Sequence, residues 1–152
     1  MDFEKEHIPS EDNVARFIFK PNHYENDEFR WNKAFQFPKP IEQGESVCWE
    51  RYAATEQVKH QIGAEILQII QKRKSDASYM GFRMANVGMI RDLKNARGHG
   101  FEVDHKPSEE EGKHHAEVMY FPCQELDLKP TDRAELKEML EGVFALLAVC
   151  NI

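Results

Sequence analysis

The chain has 152 residues, 41% of them hydrophobic and 31% charged, and a net charge of −7. This balance is typical of a folded globular protein and argues against a disordered one, and the length is that of one domain with its own core. The excess of acidic side chains argues against a large nucleic-acid interface or an anionic membrane surface, because both require clustered lysine and arginine.

Targeting and cysteine signals predict a cytoplasmic protein. The segment Met1–Glu6 is acidic and lacks the apolar stretch of a signal peptide. No apolar run approaches the roughly 20 residues that a membrane-spanning helix needs. The three cysteines, Cys48, Cys123 and Cys150, are scattered and form no Cys-x-x-Cys pair, which indicates reduced thiols.

The N-terminal part of the chain predicts a polar segment followed by a central strand. Residues 1–13 are polar, and residues 14–152 are predicted to form a single domain. Val14–Lys20 is rich in β-forming residues and is largely apolar on both faces, so we expect a strand in the middle of a sheet. Pro21 ends this strand, because proline cannot donate to the ladder.

A long connection over residues 21–45 carries aromatic side chains that allow two interpretations. They could pin the connection onto the core, or they could anchor a partner at an exposed loop. The interface candidates are Tyr24, Phe29, Trp31 and Phe35.

A second strand and a long helix follow. Ser46–Tyr52 alternates as a strand, and Thr55 is a suitable N-cap for a helix that runs to Arg73. Apolar residues repeat along this helix at helical spacing and predict one buried stripe. They are Val58, Ile62, Ile66, Ile69 and Ile70.

The rest of the chain predicts three more strands and two helices. The strands are Tyr79–Ala85, Phe101–His105 and His114–Tyr120. Between the first two, Asn86 can cap a short helix that Gly98 or Gly100 would end. A final helix is predicted from Thr131 or Asp132 to about Val149. Its apolar face consists of Leu136, Met139, Leu140, Val143 and Leu147.

The order of elements predicts an α+β fold. Strands and helices alternate only in part, which favours α+β over a doubly wound sheet. We expect a single domain with a mixed sheet of about five strands, two long helices and one short helix.

Histidines and cysteines are present, but their spacing names no reaction. His99, His105, His114 and His115 lie near one another, yet no metal-binding spacing occurs, and neighbouring residues on a strand point to opposite faces. Cys48, Cys123 or Ser46 could act as a nucleophile with His115, but there is no nucleophile elbow. We expect no metal and no cofactor.

One set of polar residues can converge if the predicted strands adjoin. Arg16 and Arg83 lie on largely apolar strands, where an arginine needs a partner. Ser46, His115 and Glu117 would lie near them. The set is interpreted either as a structural ion-pair network or as a ligand site.

Short motifs in the same order resemble a loosely defined set of small uncharacterised bacterial proteins. The resemblance spans Val14 to Leu147, and it implies no known activity. It favours Arg16, Ser46, Arg83 and His115 as site residues. The motifs are Val14-Ala15-Arg16, Ala34-Phe35, Ser46-Val47, Phe82-Arg83, Asp92-Leu93 and His115-Ala116-Glu117-Val118.

Two functional hypotheses follow. The first is a cytosolic bacterial protein-binding or accessory module of a multi-gene system, whose partner is another protein and neither nucleic acid nor membrane. The second is a small enzyme or nucleotide-binding domain that transfers ADP-ribose or handles a phosphoester. In this alternative, Arg16 and Arg83 hold an anionic group, Ser46 positions the ligand and His115 is the general acid or base. The sequence leaves the oligomeric state open.

Overall fold

A computed structural model of the chain describes residues 3–37, 44–122 and 128–146, and the backbone of 149–150. Within these ranges the strands are β1 (Asn13–Lys20), β2 (Tyr24–Glu25), β3 (Glu28–Phe29), β4 (Glu45–Trp49), β5 (Ser78–Asn86), β6 (Gly100–His105), β7 (His115–Phe121) and β8 (Val149–Cys150). The α-helices are α1 (Trp31–Ala34), α2 (Glu56–Gln71), α3 (Val87–Arg91) and α4 (Pro130–Leu146). The α+β prediction is confirmed.

The main sheet has the strand order β6-β7-β4-β1-β5-β8, and β2 and β3 form a separate hairpin. Each pairing in the main sheet is antiparallel, so the expected mixed sheet is wrong in this respect. The reason is that α2 joins β4 to β5 across β1. The two joined strands run in the same direction, but β1 lies between them and pairs with both.

Both faces of β1 are buried, as the sequence predicts for a central strand. On one face, Val14 and Ile18 belong to the larger core, which includes α3 and α4. On the other face, Ala15, Phe17 and Phe19 belong to a smaller core beneath α2. This division into two faces determines where the cavities of the molecule lie.

Helix α2 is rotated relative to its predicted stripe. Thr55 accepts a hydrogen bond from the Val58 backbone N–H at 3.1 Å, which confirms the N-cap. Of the predicted stripe, however, Ile69 is 62% exposed and Val58 is 36% exposed, whereas Lys59 and Gly63 are buried. Lys59 can face the sheet because its Nζ lies 3.1 Å from a carboxylate oxygen of Glu50. The helix therefore packs through Ile62, Ile66 and Ile70 and leaves Val58 and Ile69 exposed to solvent.

Other element boundaries differ locally from the predictions. The second strand ends at Trp49, because Glu50–Tyr52 turns as a 3-10 helix that leads into α2. Helix α3 is capped by Asn86 as predicted, but it ends at Arg91, well before Gly98. Helix α4 buries Leu136, Leu140, Val143 and Phe144. The predicted Leu147 lies outside the described residues.

Candidate binding groove

Arg16 lies in a wedge between β1 and β4. Among the described residues, the ladder between these strands consists of Val14–Trp49 and Ala15–Cys48. Beyond these two pairs, the guanidinium of Arg16 lies between the strands, and its Nη1 donates to the Ser46 carbonyl of β4 at 3.0 Å. Its Nε and Nη2 donate to the Ala34 carbonyl of α1 at 3.1 and 2.8 Å. Burial lowers the pKa of Arg16, and the Glu45 carboxylate opposes this shift.

Glu45 connects Arg16 to the chain after α1. Its Oε2 accepts from Arg16 Nη2 at 3.1 Å. Its Oε1 accepts from the backbone N–H groups of Gln36 and Phe37 at 2.5 and 2.7 Å. Four of the five guanidinium N–H groups of Arg16 are thus engaged. Arg16, a member of the predicted polar cluster, therefore bonds chiefly to backbone carbonyls and to Glu45, which agrees with the interpretation of a structural network.

The aromatic side chains of the 21–37 segment pack on the core and on Arg83. The guanidinium carbon of Arg83 lies 4.3 and 4.9 Å from the ring centres of Phe29 and Trp31. Trp31 stacks on Phe35, which is fully buried. Tyr24 is partly buried against the same core. This packing agrees with the interpretation that the aromatics pin the connection to the core.

A groove of ≈ 520 Å³ lies on the other face, between α2 and the loop that precedes β7. We call it the α2 groove. Its helix wall is formed by Ile62, Glu65, Ile66, Ile69 and Ile70, and its floor includes Phe17, Phe19, Ser46 and Cys48. The wall opposite α2 is polar, and consists of Glu110, Glu111, His114 and His115. The groove is therefore apolar along the helix and acidic along its outer edge.

His115 and Cys48 lie opposite each other on β7 and β4 in this groove. His115 Nε2 lies 3.1 Å from a carboxylate oxygen of Glu111 and 3.4 Å from one of Glu117. The hydrogen bond from His115 lowers the pKa of Glu117. Burial raises the pKa of the Cys48 thiol to about 12, so the thiol is not ionised at neutral pH despite its histidine neighbour.

The structure brings part of the predicted site set together. Arg16, Ser46 and His115 line the α2 groove, and Glu117 joins them through His115. Arg83 is elsewhere, beneath Phe29. The five residues therefore do not meet at one ligand position.

A second cavity, of ≈ 340 Å³, adjoins the groove and shares Arg16, Asn22 and His23 with it. Its other described lining residues are Lys33, Gln36, Glu45 and Lys74. Sequence reasoning did not select His23 or these lysines. The order Pro21-Asn22-His23 indicates a turn, but no local pattern indicates that the turn folds back beside β1.

The four clustered histidines do not form a metal centre. Within the described ranges there is no group of three His, Cys, Asp or Glu side chains that could hold an ion. His105 has a structural role: its Nδ1 accepts from the Glu6 backbone N–H at 3.0 Å, and its Nε2 bonds the Lys113 carbonyl at 2.7 Å. His99 is buried beside Asn95, whose side-chain oxygen accepts from the His99 backbone N–H.

Among the helices in the described part of the chain, none is long and apolar enough to cross a membrane. Comparisons with protein-family models, with curated proteins and with solved structures found no match to this chain.

Proposed function

We propose that the protein is a binding module that holds a segment of a partner protein in the α2 groove. The observation that carries the proposal is an open groove whose helix wall is apolar and includes Ile69, a large aliphatic side chain that is 62% exposed. Exposed apolar surface that borders a concave site is typical of interaction surfaces.

The charge of the groove selects the chemistry of the occupant. Glu65 lies on the helix wall, and Glu110 and Glu111 lie across from it. The whole chain carries a net charge of −7. Complementary charge favours a segment that places apolar side chains against the isoleucines and lysine or arginine against the glutamates.

Binding is favoured over catalysis by the state of the reactive groups. Cys48 is a neutral thiol, with its pKa raised to about 12 by burial. Most donors of Arg16 are used by backbone carbonyls and Glu45. His115 lies between two carboxylates, and no nucleophile with a lowered pKa accompanies it in the described lining. The enzyme alternative therefore has less support than the binding module.

The proposal includes an accessory role in a bacterial cytoplasm. Its support is the buried free thiol of Cys48, which suits a reducing compartment, and the resemblance described above.

The test is a titration with designed peptides, followed by fluorescence anisotropy. One amphipathic peptide combines leucine with lysine, and a matched peptide replaces each lysine by glutamate. We expect the lysine peptide to bind, and Ile69→Asp to weaken binding by about tenfold, because an aliphatic contact of roughly 1.5 kcal/mol is lost.

Leu146→Asp is the matched control for this substitution. Leu146 lies at the end of α4, is 69% exposed and does not line the groove. Leu146→Asp introduces the same charge as Ile69→Asp, and we expect it to leave peptide binding unchanged. Equal losses in the two variants, or equal binding of the glutamate peptide, would contradict the proposal.

A further inference from the structure

The cavity of ≈ 340 Å³ beside the groove carries positive charge that the fold does not neutralise. Lys33 and Lys74 line it, and within the described ranges neither makes an ion pair. Glu45 also lines the cavity, but its carboxylate already pairs with Arg16 and accepts two backbone N–H groups. The local excess is therefore two positive charges.

Two neutral polar side chains, His23 and Asn22, belong to the same lining. His23 Nδ1 accepts from the Phe19 backbone N–H at 3.0 Å, which places the ring proton on Nε2. Burial lowers the pKa of His23 to about 3, so the ring stays neutral and Nε2–H stays a donor. The buried Oδ1 of Asn22 has no hydrogen-bond partner among the described residues. Buried polar atoms of this kind are normally satisfied, so the unpaired Asn22 Oδ1 indicates a missing donor.

We propose that this cavity binds the phosphoryl group of a phosphate ligand, held by Lys33, Lys74 and the Nε2–H of His23. A phosphoryl group carries close to two negative charges at neutral pH and presents three strong acceptor oxygens, which matches two ammonium groups and a ring N–H. In free phosphate, the hydroxyl of HPO₄²⁻ can in addition donate to Asn22 Oδ1, whereas a dianionic monoester has no proton to donate there. A carboxylate has one charge and two oxygens, and would leave one lysine unpaired.

The source of the phosphoryl group is either free phosphate or a phosphate monoester. The cavity opens beside the α2 groove and shares Arg16, Asn22 and His23 with it. The organic part of a monoester could therefore extend toward Phe17 and Ile66. The proposal stands on the cavity lining and does not depend on the partner segment proposed above.

The test is calorimetric titration of the whole chain with inorganic phosphate, phenyl phosphate and acetate. We expect both phosphates to bind more tightly than acetate. Tighter binding of phenyl phosphate would assign a monoester, and equal binding would assign free phosphate; both results support the site. Acetate binding as tightly as phosphate, or no phosphate binding, would overturn it.

A pair of matched double variants locates the binding. Lys33→Gln with Lys74→Gln should weaken phosphate binding by about tenfold or more, because two charge-assisted contacts are lost. Lys94→Gln with Lys137→Gln removes the same charge away from the cavity and should leave binding unchanged. Phosphate should also shift the ¹⁵N resonance of His23 Nε2. Equal effects of the two double variants, or an unmoved resonance, would show adventitious surface binding and overturn the proposal.

Discussion

The side chains of Arg16 and Glu45 join the central strand to the segment after α1, and removing either one should lower the free energy of unfolding. Glu45→Ala leaves the buried guanidinium without its counter-charge and two backbone N–H groups without an acceptor. We expect a loss of about 3–5 kcal/mol in the free energy of unfolding, measured with urea. Asp27→Asn, which breaks the exposed pair with Lys20, is the control and should cost far less. Similar losses would show that the Arg16 network is not structural.

Cys48 illustrates how burial decides the chemistry of one residue. Its pKa of about 12 keeps the thiolate fraction very small at pH 8. In a variant with Cys123→Ser and Cys150→Ser, we expect iodoacetamide to modify native Cys48 at least roughly a thousand times more slowly than a free thiol. Unfolding in urea should restore the ordinary rate. Fast modification of the native protein would instead support a reactive thiol in the groove and revive the enzyme alternative.

His23 makes stability depend on pH in a defined direction. Burial lowers its folded pKa from 6.5 to about 3, so between these values the unfolded chain binds the extra proton. The stabilisation is complete above pH 6.5 and is lost as the pH falls toward 3. In His23→Asn, the amide oxygen can accept in place of Nδ1. The melting temperature of this variant should therefore fall less between pH 7 and pH 4 than that of the unmodified protein. The exposed His7→Asn is the control, and equal slopes in both variants would contradict the assignment.

At the level of the helices, alanine substitutions at Gly63 and Gly142 distinguish the effect of packing on stability from the effect of intrinsic helix propensity. A Cβ at Gly63 in α2 would lie 2.5 Å from the Tyr79 ring, whereas a Cβ at Gly142 in α4 meets nothing within 4 Å. Gly63→Ala should therefore cost about 1–3 kcal/mol despite the better helix former. Gly142→Ala should stabilise by up to about 1 kcal/mol. Chemical denaturation measures both, and stabilisation by Gly63→Ala would show that α2 does not pack as described.

Local signals in the sequence predict most of the elements but not how they are oriented. The cap at Asn86 and the apolar periodicity of α4 are short-range features, and both are confirmed. The rotation of α2 places Lys59 against the sheet, where it pairs with Glu50 outside the helix, so helical periodicity alone cannot predict it. The β2–β3 hairpin was not predicted, although the sequence places Asn26 and Asp27, two residue types that tolerate positive φ, at its turn. Asn26 and Asp27 both adopt positive φ, as a two-residue hairpin turn requires.

At the scale of the whole molecule, the two faces of the sheet differ. One face is closed by α3, α4 and the aromatic connection, whereas α2 covers the other face beside the groove. The sequence selects Arg16, Ser46 and His115, which line the α2 groove. It cannot predict the groove itself, because pairing of β4 with β7 joins residues about 70 positions apart, and such contacts are non-local.

The measurement that tests the binding proposal most directly is a map of amide chemical-shift changes during titration with the leucine–lysine peptide. The account predicts that the largest changes fall on Ile62–Ile70 in α2 and on Glu110–His115 across the groove. Changes concentrated on Tyr24–Phe35 instead would place the interface on the aromatic connection and contradict the account.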